Sequence, residues 1–300
     1  IIDYKGNCGN ISSAVGPFAV DEGLVPAVEP ITRVRIHQKN TDKLIIAEVP
    51  VKNGRFDEEG EYAIAGVPGA NAKIILRFDD PGGALTGKLF PTGNVKDVLD
   101  VPDVGKIELT VIDAANPVIL VPAAALGLSG LEIDEVDNDA SIRQRLENIR
   151  CAVSVEIGLT ETMEEATLRS QAVPKIAFIS AAKTYQTVDG KTIEETDVDL
   201  VGRFMSMGTL HKSYAVSGAV STVGAMMIPG TVAHDLLRPG ADKKEMLSIG
   251  HPGGIIEVGA VIEETNGTYH YREAALGRTA RRLMEGSVLV PEKYFNPHIS

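Results

Sequence analysis

The sequence predicts an α+β protein that is mostly β and built around two helices of small residues. Three observations carry that expectation. Thirty glycines and sixteen prolines stand among abundant Val and Ile, a composition suited to many strands joined by tight turns. Stretches with β-branched residues in alternation recur along the chain. Two segments, residues 11–22 and 208–229, are crowded with Ser, Ala and Gly, as helices are when other elements enclose them closely.

The elements follow in order. Residues 1–5 read as a short strand running into Gly6-Asn7-Cys8-Gly9-Asn10. Ile11 to Glu22 reads as a buried helix with Gly23 as its C′ residue. Pro17 removes one backbone bond there, at a cost near ~3 kcal/mol unless the helix kinks. Strands are predicted at Thr32–His37, Leu44–Val51, Tyr62–Ile64 and Lys73–Phe78. The loop 79–87 and the segment Phe90-Pro91-Thr92-Gly93-Asn94 interrupt them. Lys106–Ile112 and Val118–Val121 then flank a turn at Ala114-Ala115-Asn116-Pro117.

Between 138 and 171, charged residues alternate with apolar ones as in amphipathic helices packed outside a sheet. Lys175–Ser180 is a compact apolar strand. Asp197 to Met207 is predicted as a helix with Asp197 or Thr196 as its cap. The second small-residue segment echoes the first in composition, which suggests an internal duplication. Ser248–Ile249, Ile255–Glu263, Thr268–Ala275 and Ser287–Val290 are predicted as an antiparallel finish, with turns at Gly253-Gly254 and Asn266-Gly267.

The bulk numbers exclude several function classes. A net charge of −12 argues against a broad nucleic-acid or anionic-membrane surface, since either needs a basic face. No apolar run is long enough for a membrane helix. Two cysteines are too few for a disulfide framework and suit a reducing, cytoplasmic setting. The opening Ile-Ile-Asp-Tyr, without Met, reads like the middle of a strand, so the chain is expected to lack its natural N-terminus.

Cys8 is the outstanding candidate for chemistry. It sits in a turn of Gly and Asn that opens a helix, where free amides and the helix dipole favour an anion. The same amides can hold a carboxylate, and small neighbours let a substrate reach the backbone. Cys151 lies among helical charges and reads as structural. The six histidines show no metal-binding spacing, so no metal is expected. His211 and His251 stand apart because each adjoins a glycine-bearing turn near the second small-residue segment. No nucleotide-binding glycine loop and no G-x-S-x-G elbow is present. Arg278, Arg281 and Arg282 form a basic cluster that reads as a solvated face; the alternative is one arginine gripping a carboxylate bidentately.

Six ordered motifs then resemble one family, that of the 2-methylaconitate cis-trans isomerases (PrpF). They are Asp3-Tyr4-Lys5-Gly6-Asn7-Cys8-Gly9-Asn10, Ala14-Val15-Gly16-Pro17-Phe18-Ala19, Phe90-Pro91-Thr92-Gly93-Asn94, Ser206-Met207-Gly208 with His211, Gly250-His251-Pro252-Gly253-Gly254, and the run from Gly277 to Gly286. The family is similar in fold to diaminopimelate epimerase. That resemblance implies two pseudo-symmetric lobes, each a β-barrel-like sheet around a central helix, with the active site between them. The lobes would be residues 1–108 with 286–300, and residues 109–285.

Carried onto this sequence, the resemblance makes Cys8 a proton-transfer residue and Asn7, Gly9 and Asn10 donors to a carboxylate. It places Asn116 in the Asn-Pro turn that contacts substrate, with His211 and His251 as further contacts. Ser206, Met207 and Gly208 would stand where epimerases carry a second cysteine, and with none there a two-thiol mechanism is disfavoured. The family's catalytic lysine precedes the cysteine and has no match in this chain. The activity implied is cofactor-independent proton transfer, giving cis-trans or double-bond isomerisation of a small anionic di- or tricarboxylate such as 2-methylaconitate. A 3-methylitaconate Δ-isomerase, a 4-oxalomesaconate tautomerase and a catalytically dead binding protein are the alternatives. The partners expected are that polycarboxylate and, as one option, a second copy of the chain in a homodimer.

Overall fold

The computed structural model describes residues 6–294. The strand read at residues 1–5, the motif residues Asp3, Tyr4 and Lys5, and residues 295–300 lie outside that range. Helix α1 (Gly9–Asp21) precedes strands β1 (Ile31–Gln38), β2 (Lys43–Lys52), β3 (Ile74–Asp79), β4 (Asp97–Val101), β5 (Gly105–Ala114) and β6 (Asn116–Pro122). Helices α2 (Ala140–Glu156) and α3 (Met163–Arg169) follow, then β7 (Lys175–Ala181), β8 (Leu200–Ser206) and helix α4 (Val216–Met227). Strands β9 (Met246–His251), β10 (Gly254–Thr265) and β11 (Thr268–Arg278) complete the set.

One 13-stranded mixed sheet runs through the molecule, eleven of its strands in the order β1-β2-β3-β11-β10-β9-β8-β7-β6-β5-β4 and two short ones, Arg55–Phe56 and Thr209–Leu210, pairing off this path with β2 and β8. Its pairs are antiparallel except β6 with β7 and β8 with β9. The alternation read in the sequence has a simple cause in β2, where Ile45, Ala47, Val49 and Val51 are buried on one face. In the middle of the sheet both faces are covered. Val118 and Leu120 of β6 join the core around α4, while Ile119 and Val121 join a second core under α2.

That double coverage overturns the helix predicted from Asp197 to Met207. The segment is strand β8, antiparallel to β7 and parallel to β9. Leu200 and Phe204 face the α4 core and Met205 faces the other. A strand buried on both sides loses its period of two, and the acidic residues before it close only the single turn Glu195–Asp197. The strand predicted at Ser287–Val290 is also absent. Val288 and Leu289 are 87% and 95% exposed, and the segment pairs with no strand among the described residues. Without a neighbour to complete the hydrogen-bond ladder, β propensity alone does not make a strand.

The small-residue helices earn their composition by close approach. A Cβ on Gly218 would stand 2.2 Å from the Phe204 ring, and one on Gly224 would stand 2.4 Å from the Tyr271 ring. Every residue of α4 from Val216 to Met226 is buried. Helix α1 keeps Pro17 inside it and lies on β1 and β2, where a Cβ on Gly16 would stand 2.7 Å from Val49. It is covered on that side only, since Ile11 and Phe18 are 68% and 55% exposed. No described helix is long and apolar enough to cross a membrane.

Candidate active site

The two small-residue helices meet end to end. A Cβ on Gly9, the first residue of α1, would stand 2.4 Å from Cγ1 of Val216, the first residue of α4. Cys8 is the N-cap of α1 and Ala215 the N-cap of α4, and neither helix has a side-chain cap or an acid in its first turn. The first intrahelical bonds are Ser12 N to Cys8 O at 3.1 Å and Ala219 N to Ala215 O at 2.8 Å. Three amides at each mouth are left without an intrahelical acceptor. Opposed mouths of this kind concentrate N–H donors and positive dipole ends on one place.

Cys8 is exposed at that junction, and Asn7 and Gly9 on either side of it are buried. Asn10 is exposed, and its Oδ1 accepts from Arg278 Nη2 at 2.9 Å. These four consecutive residues form the mouth of α1. Asn116 joins them in another role than expected. It is fully buried; its Oδ1 accepts from Asn7 N at 2.9 Å, and its Nδ2 donates to Asn7 O at 3.0 Å and Ser217 Oγ at 2.7 Å. With both amide hydrogens used, Asn116 has no donor left for a substrate. It positions the two helix mouths instead. Ala115, with φ at +64°, makes the reversal that turns Asn116 inward between β5 and β6.

His211 and His251 form a pair beside the α4 mouth. The backbone N–H of Ser213 donates to His211 Nδ1 at 3.0 Å, and that of Gly253 donates to His251 Nδ1 at 3.1 Å. Each ring therefore accepts at Nδ1, which leaves its proton on Nε2. His211 is half-buried and His251 is buried. Burial pushes the His251 imidazole down to about 3, with the Arg203 guanidinium and His211 adding to the shift. Burial also lowers His211. Both are neutral near neutral pH. The Tyr185 hydroxyl secures the hairpin behind His251, 3.0 Å from the His251 carbonyl oxygen and 2.5 Å from that of Gly254.

Ser206, Met207 and Gly208 are not part of this cluster. They form a left-handed turn, with φ of 51° at Met207 and 84° at Gly208. Met207 and Gly208 line a small cleft with Arg143 and Glu147 of α2, on the other face of the sheet. The residue that matches Cys8 in the second helix is Ala215. The resemblance had put Ser206, Met207 and Gly208 at that position, and they lie seven to nine residues before it, at the end of β8 and in the turn beyond.

Residues that the sequence reading missed are Ser217, whose hydroxyl receives Asn116, and Tyr62 and Ser213. Tyr62, Ser213, His251 and Arg278 line a cavity of about 300 Å³. The larger cavity, about 970 Å³, lies on the outer side of α1 against residues 280–287 and holds none of the predicted site residues. Cys151 is buried, within 3.2 Å of Glu147 Oε1 and Thr167 Oγ1, and burial pushes its thiol up, as suits a structural residue. Among the described residues no three His, Cys, Asp or Glu side chains are placed to hold a metal ion.

Comparison with known proteins finds relatives over most of the chain. The chain is 46% identical over 292 residues to the 3-methylitaconate isomerase of Eubacterium barkeri, covering 97% of this chain and 75% of that one. It is 39% identical over 299 residues to the 2-methyl-aconitate isomerase of Shewanella oneidensis, covering 97% and 75%. The crystal structure of a methylitaconate-delta-isomerase superposes with a TM-score of 0.83 at 45% identity, covering 96% of this chain and 73% of that one. A probable proline racemase from Agrobacterium radiobacter shares the fold alone, with a TM-score of 0.50 at 16% identity over 93% and 68%. The fold is thus the α+β, epimerase-like one expected. The family model described as PrpF protein matches residues 1–291, and the chain belongs to the PrpF family, whose relatives named here are isomerases.

Proposed function

We propose that the protein is a cofactor-independent isomerase that moves a proton on an unsaturated di- or tricarboxylate, with Cys8 as a proton-transfer residue. The observation that carries this reading is the exposed Cys8 thiol at the junction of two uncapped helix mouths. A substrate carboxylate seated on the amides of Gly9 and Asn10 brings its allylic carbon beside the thiol. Cys8, as thiolate, takes a proton from that carbon; the C–H bond breaks, an S–H bond forms, and the electron pair spreads into a dienolate. Reprotonation at another carbon, or at the same one after rotation, gives the double-bond or cis-trans isomer. The amides at the two mouths stabilise the charge that develops on the carboxylate, as an oxyanion hole does. His211 and His251 supply neutral N–H donors to the same charge.

The substrate is proposed from the relatives' names. 3-Methylitaconate stands first because of the 46% identity to the isomerase of that name, with 2-methylaconitate next at 39%. The same reading includes the division into a lobe of residues 1–108 with 286–300 and a lobe of residues 109–285. Each central helix has its own strands, α1 lying on β1 and β2 and α4 on β5, β6 and β10. A cytoplasmic setting and a homodimer belong to it as well.

The test is deuterium incorporation from heavy water into 3-methylitaconate and 2-methylaconitate, followed by NMR. Wild-type protein incorporates label and Cys8→Ser loses at least about a hundredfold in exchange rate. Exchange at the wild-type rate in Cys8→Ser removes the thiol from the reaction.

A further inference from the structure

We propose that Arg278 and Tyr62 form a carboxylate-recognition subsite next to Cys8, which reads a second carboxylate of the substrate. The inference rests on the proton-transfer reading and adds to it the group that selects a polycarboxylate over a monocarboxylate.

Arg278 ends strand β11 and lines the 300 Å³ cavity together with Tyr62, Ser213 and His251. Its Nη2 donates to Asn10 Oδ1 at 2.9 Å, which ties the guanidinium to the first turn of α1, two residues from Cys8. Its Nε is buried and has no hydrogen-bond partner among the described residues. Among the described residues no carboxylate lies within ion-pair distance of it, although Arg33, Arg77, Arg150, Arg272 and Arg282 all have one. A half-buried cation whose fork lacks an acid is costly, and a carboxylate ligand is the group that matches its geometry.

Tyr62 comes from a separate part of the chain, the short hairpin that lies against the end of β11. A Cβ on Gly277 would stand 2.4 Å from the Tyr62 hydroxyl, so the glycine beside Arg278 is what lets the phenol lie there. Lys73 Nζ lies over the ring at 4.9 Å and fixes its plane. Burial and the nearby Glu257 raise the phenol above its ordinary range, so it keeps its proton and is a donor. It has no protein acceptor among the described residues. Two residues that each carry a donor without an acceptor among the described residues thus line one cavity, and the neutral His251 lines it as well. Glu257 and Asp197 also line it, but both are exposed, where water and salt screen them.

The experiment is calorimetric titration with tricarballylate, a saturated tricarboxylate that cannot isomerise, and with butyrate, which keeps only one of its three carboxyl groups. Wild type is expected to bind tricarballylate more tightly than butyrate. Arg278→Gln weakens tricarballylate about tenfold or more and erases the preference, Arg278→Lys restores only part of it because the fork is lost, and Tyr62→Phe weakens it about threefold. Tyr62→Phe removes no bond within the protein, so it serves if Arg278→Gln does not fold. Wild-type affinity in both Tyr62→Phe and Arg278→Gln overturns the subsite, and so does failure of wild type to bind tricarballylate. The outcome is separable from that of the Cys8→Ser exchange experiment. Full exchange in Cys8→Ser with lost binding in Arg278→Gln sinks the thiol chemistry and keeps the subsite, and the converse result does the opposite.

Discussion

The side-chain amide of Asn116 pairs with the backbone of Asn7 along both its edges, accepting from Asn7 N at 2.9 Å and donating to Asn7 O at 3.0 Å. An amide used in this way behaves like one more strand residue beside the cysteine turn. Its remaining hydrogen reaches Ser217 in α4 at 2.7 Å, so one side chain sets both helix mouths.

Asn116→Ala therefore leaves the backbone N–H and C=O of buried Asn7 without partners. The expected loss is at least about 2 kcal/mol in urea unfolding, with turnover falling further than stability alone explains. Asn116→Asp keeps the shape and loses the donors, so it should lower kcat more than it raises KM. Equal effects on both would show that Asn116 only supports the fold.

Gly9→Ala is expected to destabilise by about 1–3 kcal/mol through overpacking of the helix junction. Val216→Ala should not rescue it, because the Val216 Cβ itself would lie 2.5 Å from the new Cβ. Val216→Gly should restore part of the melting temperature. Rescue by alanine would disprove the contact.

The buried His251 gives stability a pH dependence of known sign. Its folded value is near 3, below the unfolded value near 6.5. Between those limits the unfolded chain binds a proton that the native protein does not, so stability falls as pH falls from about 6.5 towards 3. The contribution is at most about 1.4 kcal/mol per pH unit. His211, also lowered by burial, adds in the same direction. Denaturant midpoints for His251→Gln should show a flatter profile below pH 6.5 than wild type; superimposable profiles would exclude the residue as a source.

Gly218→Ala places a methyl group 2.2 Å from the Phe204 ring inside an enclosed helix. Both sides of that contact are buried, so the cost is expected at or above about 3 kcal/mol. Gly23→Ala tests the opposite case. Gly23 has φ of +64° and nothing within 4 Å of a new Cβ. Its cost comes from backbone strain alone, about 1 kcal/mol. Thermal melting of the two variants separates crowding from conformation.

Much of this was legible in the sequence where a local rule matched the tertiary context. The half-buried strands β1 and β2 alternate as written, and the Asn266-Gly267 turn joins β10 to β11 with φ of 52° and 78°. Cys8 could be found because Gly, Asn and small residues around a thiol announce a helix mouth. Strand β8 could not, since covering both faces erased the alternation that marks a strand. The partner position, Ala215, carried no chemical signal at all, and the sequence left Arg278 open between a solvated face and a carboxylate contact, because it does not show which of three arginines lines a cavity. The saturation of Asn116 was invisible for another reason: hydrogen-bond capacity is used up by residues 109 and 101 positions away in the chain.

The abutment of Gly9 on Val216 also has an electrostatic consequence. Each helix start carries roughly half a positive charge, and placing two of them nose to nose makes them repel across a short distance. A polyanion lodged between them acts as the counter-ion of that joint, offsetting the repulsion before any specific contact is counted. Heat resistance of the protein should then climb with the concentration of small polyanions, and that gain should shrink as inert salt is added, because salt screens both the repulsion and the ligand that offsets it.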